Sequence, residues 1–199
     1  MGKSAVLGCL VIVLIGVLIL GGMTVSGYNK LNAADQAVSA SWSQVENVYQ
    51  RRADLIPNLV ETVKGAANFE KETLQAVVQA RASATQVKLD ANSIKDPESF
   101  ERFQKAQDGL SSALSRLLVT VEKYPELKAT QLFSNLQAQL EGTENRISVE
   151  RGRFNEVTQT YNTLRRSFPT VIVANITGFK DRPFFKATEG ADRPPAVKF

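Results

Sequence analysis

A chain of 199 residues with no histidine and a single cysteine has room for one domain and an appendage, and it lacks the side chains of the commonest catalytic sites. Without imidazole there is no Ser-His-Asp or Cys-His couple, no HExxH zinc site and no imidazole proton switch, and with one cysteine no intrachain disulfide. The net charge of +4 does not mark a nucleic-acid binder either: residues 28–164 hold 16 basic and 17 acidic side chains, so the basic surplus sits at the two ends and not on a folded face.

Residues 5–25, AVLGCLVIVLIGVLILGGMTV, run for 21 positions without a charge. A bilayer core takes about 20 apolar residues as a helix, whereas a secretory h-region is shorter, at about 7–15. The expectation is an uncleaved transmembrane helix, with the small Gly22 and Ser26 leaving late cleavage open. Val6-Leu7-Gly8-Cys9 resembles a lipoprotein cleavage box, but only eight residues precede the cysteine and the apolar run continues past it. Lys3 and the terminal amine on one flank, against Lys30 offset by Asp35 on the other, predict a cytoplasmic amino terminus by a margin of about one charge.

From Tyr28 the apolar residues recur in sevens. Leu31, Val38, Val45, Arg52 and Leu59 form one row, and Asp35, Trp42, Tyr49, Ile56 and Val63 the other. That period marks a helix packed along its length against other helices, as in a coiled coil. Two of the ten positions are charged, and Arg52 is the one in mid-helix. Pro57 withdraws a donor from the carbonyl of Ala53, which predicts a kink, since apolar spacing resumes at Leu59. Gly21-Gly22 and Gly27 offer bends. A second helix is expected with Leu74, Val77, Val78, Arg81 and Thr85 on one face and an alanine-rich side at Ala76, Ala80, Ala82 and Ala84. Asp96-Pro97-Glu98 is a helix start, combining an N-cap, proline at the first position and an acid in the first turn. The third helix carries Phe100, Phe103, Gln107, Leu110, Leu114, Leu117, Leu118 and Val121, and closes at Tyr124-Pro125. In the fourth, Phe133, Leu140, Ile147, Phe154 and Tyr161 lie seven apart, beside Leu136, Thr143, Glu150, Val157 and Leu164. Beyond Phe168-Pro169, the β-branched run TVIVANI predicts an extended strap, and the Pro-rich polar end a flexible tail.

The expected fold is all-α: an N-terminal transmembrane helix, then an antiparallel up-and-down four-helix bundle with an extended C-terminal strap. The divisions are an anchor over 1–27, a helical bundle over 28–168, the strap over 169–185 and the tail over 186–199. The first and fourth helices would be the long pair, about 55 Å each at 1.5 Å per residue.

WSQVENVYQRRADLIPNLVETVKG, followed by YPELKA, GTENRI, R-x-x-F-N, Y-N and F-P before G-F, resembles the LemA family in collinear order from about Tyr28 to Phe185. The resemblance implies a bacterial membrane protein with one amino-terminal span and a helical-bundle body. It implies no enzymatic activity, catalytic residues or cofactor, and a context of membrane organisation: some relatives accompany magnetosome membranes, others envelope proteases or signalling proteins. Phe154 stands where a tyrosine is expected, and Ala66 and Phe69 where Tyr and His are usual.

The polar residues concentrate on the first and fourth helices. Glu46, Asn47, Arg51, Arg52 and Asp54 on one, and Glu144, Asn145, Arg146, Glu150, Arg151 and Asn155 on the other, would meet near mid-length if the helices are antiparallel. The expectation is a buried ion-pair and amide network that sets register, the alternative being solvated flanks. Glu46 or Glu150 as a general acid or base lacks an accompanying nucleophile or metal ligand. Trp42, Tyr49, Ile56, Phe133, Leu140, Ile147 and Phe154 are the expected core. No catalytic, cofactor-binding or metal residue is assigned. The function expected is a non-enzymatic scaffold in the cell inner membrane that self-associates as a homo-oligomer and organises or shapes the membrane. A sensory or adaptor module regulating a membrane protease or signalling partner is the alternative. The expected partners are the lipid bilayer, further copies of the chain, with the alanine-rich second helix as contact, and a membrane protein; nucleic acid is not among them.

Overall fold

The computed structural model describes residues 3–65, 69–89 and 93–186. Among these residues the protein is all-helical, with no strand. Helix α1 (Lys3–Lys64) is 62 residues long, about 93 Å at 1.5 Å per residue, and has two unlike halves. Its first part is apolar and bare, with Leu14 61% and Leu18 67% exposed. It is the one helix among the described residues long and apolar enough to cross a membrane. From Leu31 the helix turns into a packed seam. Leu31, Val38, Val45, Arg52 and Leu59 are all buried, as are Trp42, Tyr49, Ile56 and Val63, so burial follows the heptad rows.

No break interrupts α1 at Pro57. The Ala53 carbonyl, which loses its helical donor to the proline, instead accepts the Arg81 Nε–H of α2 (Lys71–Gln86) at 2.8 Å. A partner from another helix thus supplies what the ring removed. At Gly27 a Cβ would lie 3.2 Å from Val173 Cγ2, so the bare backbone admits a close neighbour.

Helix directions follow from pairs of contacts. Trp42 meets Phe154 at 5.7 Å and Arg52 meets Glu144, so α5 (Gln131–Arg166) runs antiparallel to α1. Trp42 Nε1 donates to Leu89 O at 3.2 Å while Arg81 reaches Ala53, so α2 is also antiparallel to it. Helix α3 (Pro97–Val121) runs parallel to α1, with Trp42 against Phe103 and Arg52 against Ser111. Its start matches the sequence: Asp96 Oδ2 accepts the Ser99 N–H at 2.8 Å, with Pro97 at the first position. A single turn, α4 (Pro125–Lys128), joins α3 to α5, where Thr130 caps by accepting the Phe133 N–H.

Two expectations are overturned. The strap predicted as extended over 169–185 contains a helix, α6 (Thr170–Thr177), and after the Gly178 turn residues 179–186 run outside any helix. Propensity lost to packing: Val173 and Ala174 are buried against the lower part of α1 and α5, and Gly178, at φ 80°, closes the helix in the left-handed region. On α2, Leu74 and Val77 are buried, but Val78, assigned to the same face, is 51% exposed. The alanines divide too, with Ala84 buried and Ala76 and Ala82 exposed. The flexible tail falls outside the described residues after Lys186.

The buried residues form two apolar clusters. One gathers Ile56, Leu59, Val77, Leu110, Leu117, Phe133 and Leu140; the other Leu31, Val38, Trp42, Tyr49, Phe100, Phe154 and Phe185. Between Tyr49 and Ile56 along α1, the boundary is Arg52.

Candidate functional site

The boundary layer is built on one guanidinium. Arg52 is 1% exposed, and its Nη1 donates to Ser111 Oγ and Glu144 Oε1, each at 2.7 Å. Nη2 donates to the Gln107 main-chain oxygen at 3.3 Å and to its side-chain oxygen. Gln107 Nε2 donates onward to Ala84 O at 3.2 Å, so one chain of hydrogen bonds ties α1, α2, α3 and α5 at a single level. The guanidinium also lies 5.1 Å from the centroid of the Tyr49 ring. Arg52 Nε has no hydrogen-bond partner, and the Glu144 side chain is 40% exposed, so the pair is wet on one side. Burial pushes the Tyr49 phenol up to about 12, against the lowering effect of Arg151 and Arg52, and its hydroxyl is unpartnered.

Of the eleven residues expected in one network, two meet directly at this layer, Arg52 and Glu144, and Asn47 is exposed. Glu46, Arg51, Asp54, Asn145 and Arg146 are exposed, and Asp54 accepts Gln50 Nε2 along its own helix. They lie on the solvent side of their helices. Glu150 is half-buried and lies 3.8 Å from Arg153. Arg151 reaches Asp108 of α3 at 3.4 Å and covers the Phe185 ring at 4.6 Å. All seven expected core residues are buried, with Trp42 ringed by Phe100, Phe103, Phe154 and Phe185.

Asn155 belongs to a different device. Its Nδ2 donates to Phe185 O at 3.0 Å and its Oδ1 accepts the Phe185 N–H at 2.9 Å. Seven residues on, Asn162 treats Arg182 in the same way, both bonds at 2.9 Å. On α3, Gln104 repeats the pattern with Lys186, at 2.9 and 3.2 Å. Each primary amide turns one N–H and its oxygen to the same extended residue, so it satisfies that residue's C=O and N–H as a neighbouring strand would. Residues 179–186 are thereby fastened along a groove with no sheet present. Tyr161 Oη donates to Lys180 O at 2.8 Å, and burial raises the pKa of that phenol.

A second internal ion pair lies lower in the body. Arg182, buried, donates from Nε to Asp35 Oδ1 at 3.1 Å and from Nη2 to the same oxygen, while its Nη1 is buried without a partner. Lys95 lies 3.8 Å from Asp35 on its other oxygen. Thus both charged breaks in the α1 heptad rows, Asp35 and Arg52, carry internal partners. Sequence reasoning flagged Asp35 without a partner and missed Gln104, Gln107, Asp108, Ser111, Asn162 and Arg182. Gln107 had a usable signal, as the one polar member of the apolar row on α3; Asn162 had another, seven after Asn155. Among the described residues no group of three or more His, Cys, Asp or Glu is placed to hold a metal ion.

Residues 41–199 match the sequence profile of the LemA family. The chain is 25% identical to magnetosome protein MamQ 2 of Paramagnetospirillum magneticum over 98% of its length and 77% of that protein's. It is 28% identical to magnetosome protein MamQ of Magnetospirillum gryphiswaldense, over 84% of this chain and 67% of the relative. Protein LemA of Metamycoplasma hominis is 24% identical over 81% of this chain and 69% of its own. With four-fifths of its residues inside the family profile, the chain belongs to the LemA family.

Proposed function

We propose that this protein is a membrane-anchored helical scaffold of the bacterial envelope, acting by interaction and not by catalysis. The observation that carries the reading is α1, whose bare apolar portion passes without a break into a buried seam. In this reading residues 1–27 are the anchor in the inner membrane, the amino terminus faces the cytoplasm, and the body stands on the other side. The four long helices work as an up-and-down four-helix bundle over 28–168, and 179–186 as the clasped strap. The layer at Arg52 fixes the register in which the two apolar clusters stack. A buried ion pair suits that task better than net stabilisation, because desolvation offsets its attraction. Relatives named as magnetosome proteins, which bear the name of a membrane compartment, support a role in membrane organisation. Self-association would use the outward side of α2, where Ala76, Val78 and Ala82 are exposed.

Size measurement of the full chain in detergent tests this. A discrete large assembly without other proteins is expected; a monomer that co-purifies with a membrane protease would replace the scaffold with a regulatory adaptor. Proteolysis of spheroplasts tests the orientation, since survival of the body helices would place them inside.

A further inference from the structure

Helix α6 and the turn that leads into it leave three large apolar side chains uncovered: Phe168 is 80% exposed, Ile172 51% and Ile176 78%. Their height on the molecule is fixed by three contacts. The pairs 42 with 154 and 52 with 144 set the antiparallel register of α1 and α5, which brings the end of α5 level with the start of the α1 body. Val173 then packs on Gly27. Gly27 is two residues from Val25, where the uncharged stretch ends, so the Val173 contact lies about 3 Å along the α1 axis from that boundary. An aromatic pair lies at the same height, Tyr28 edge-on to Phe179 at 5.9 Å, where interfacial rings concentrate. The exposed cations Lys30 and Lys180 flank it. Elsewhere on the body, exposed large apolar residues such as Val119, Leu132 and Val149 stand on other helices far along the axis.

We infer that α6 and the Phe168 turn are a second membrane attachment, lying in the headgroup and acyl boundary of the same bilayer that α1 spans. The inference rests on reading residues 5–25 as the span. Given that span, the occupant of the α6 face is set by continuity: the bilayer surface that begins at Val25 lies close to the level at which Val173 packs, and Val173 is next to Ile172 in the chain and about one turn from Ile176. The chemistry matches an interfacial helix, with isoleucine and phenylalanine to immerse and lysines to meet anionic headgroups. Two attachments instead of one would fix the tilt and rotation of the body on the membrane, which a single helix leaves free.

The test uses the full chain in phosphatidylcholine–phosphatidylglycerol vesicles, with Cys9→Ser as background. An environment-sensitive fluorophore is placed in turn at Ile176→Cys, Phe168→Cys, Val13→Cys and Val149→Cys. Lipid nitroxides at shallow and deep positions and an aqueous quencher report depth. Expected are quenching at 176 and 168 by the shallow nitroxide, at 13 by the deep one, and at 149 by the aqueous quencher alone. If 176 and 168 behave as 149 does while 13 is quenched from within the bilayer, α6 does not dock and the span stands. If 176 and 168 are shielded from water yet untouched by either nitroxide, protein covers the face and the lipid assignment is wrong. Loss of quenching at 13 would remove the span and the docking with it.

Discussion

Replacing Arg52 with methionine keeps most of the stem's volume and deletes the charge, which isolates the polar layer from the packing around it. Three of its partners tolerate the loss unequally. Glu144, 40% exposed, and Ser111, at the partly buried edge, turn to water; the Gln107 main-chain oxygen retains its place in the α3 helix. The Gln107 side-chain oxygen does not: Gln107 is 6% exposed and its nitrogen is committed to Ala84. One buried acceptor left without a donor costs about 1–3 kcal/mol. Against this, the desolvation of the guanidinium and of its unpartnered Nε is relieved. The expected net loss is about 1–2 kcal/mol, below the 3–5 kcal/mol typical of stranding a fully buried charge. Urea unfolding of the detergent-solubilised chain, followed by the fluorescence of Trp42, its only tryptophan, measures it. If Arg52→Met is as stable as the parent or more so, with unchanged cooperativity and oligomeric state, the layer does not set register.

Three further outcomes follow from the same geometry. Tyr49→Phe removes a buried hydroxyl that has no partner, so stability near neutrality should hold or rise by up to about 1 kcal/mol. Because the folded-state phenol is raised to about 12 from 10.0, the fold holds that proton more tightly than the unfolded chain does. Its contribution is therefore complete below pH 10 and fades as pH climbs towards 12, by about 2–3 kcal/mol, and the alkaline loss should be smaller by that amount in the phenylalanine variant. Asn162→Ala deletes two hydrogen bonds to Arg182, worth about 1–3 kcal/mol together; hydrogen exchange should show residues 179–186 loosened while α1, α3 and α5 keep their protection. Equal loosening everywhere would mean that the segment and the helices open as one unit. Gly27→Leu forces a side chain into a contact already at 3.2 Å for a Cβ alone, and should detach α6 at a cost of about 1–3 kcal/mol, read as new protease sensitivity within 170–177.

The heptad rows were legible because period is a property of spacing alone: the α1 residues from Leu31 to Val63 and the α5 residues from Phe133 to Tyr161 bury as counted. Arg52 stood out for the same reason, a charge inside an apolar row. Its partners were harder to read, since Gln107 and Ser111 come from α3, and a search confined to the first and fourth helices could meet only Glu144. Residues 170–177 misled because β-branching speaks for extension, whereas the burial of Val173 on Gly27 is a tertiary fact with no local trace. The amide clasps were invisible for a related reason. Asn155, Asn162 and Gln104 acquire their meaning from the backbone opposite, and nothing in their neighbours along the chain announces it.

That α1 couples the bilayer to the body as one rigid helix is the claim on which both the scaffold and the docking of α6 depend. Spin labels at Val13→Cys and Ser43→Cys, in the Cys9→Ser background and in lipid nanodiscs, measure it as a distance. Thirty residues of unbroken helix predict a narrow distribution centred near ~45 Å. A broad or much shorter distribution would place a hinge at Gly21-Gly22 or Gly27 and contradict the account.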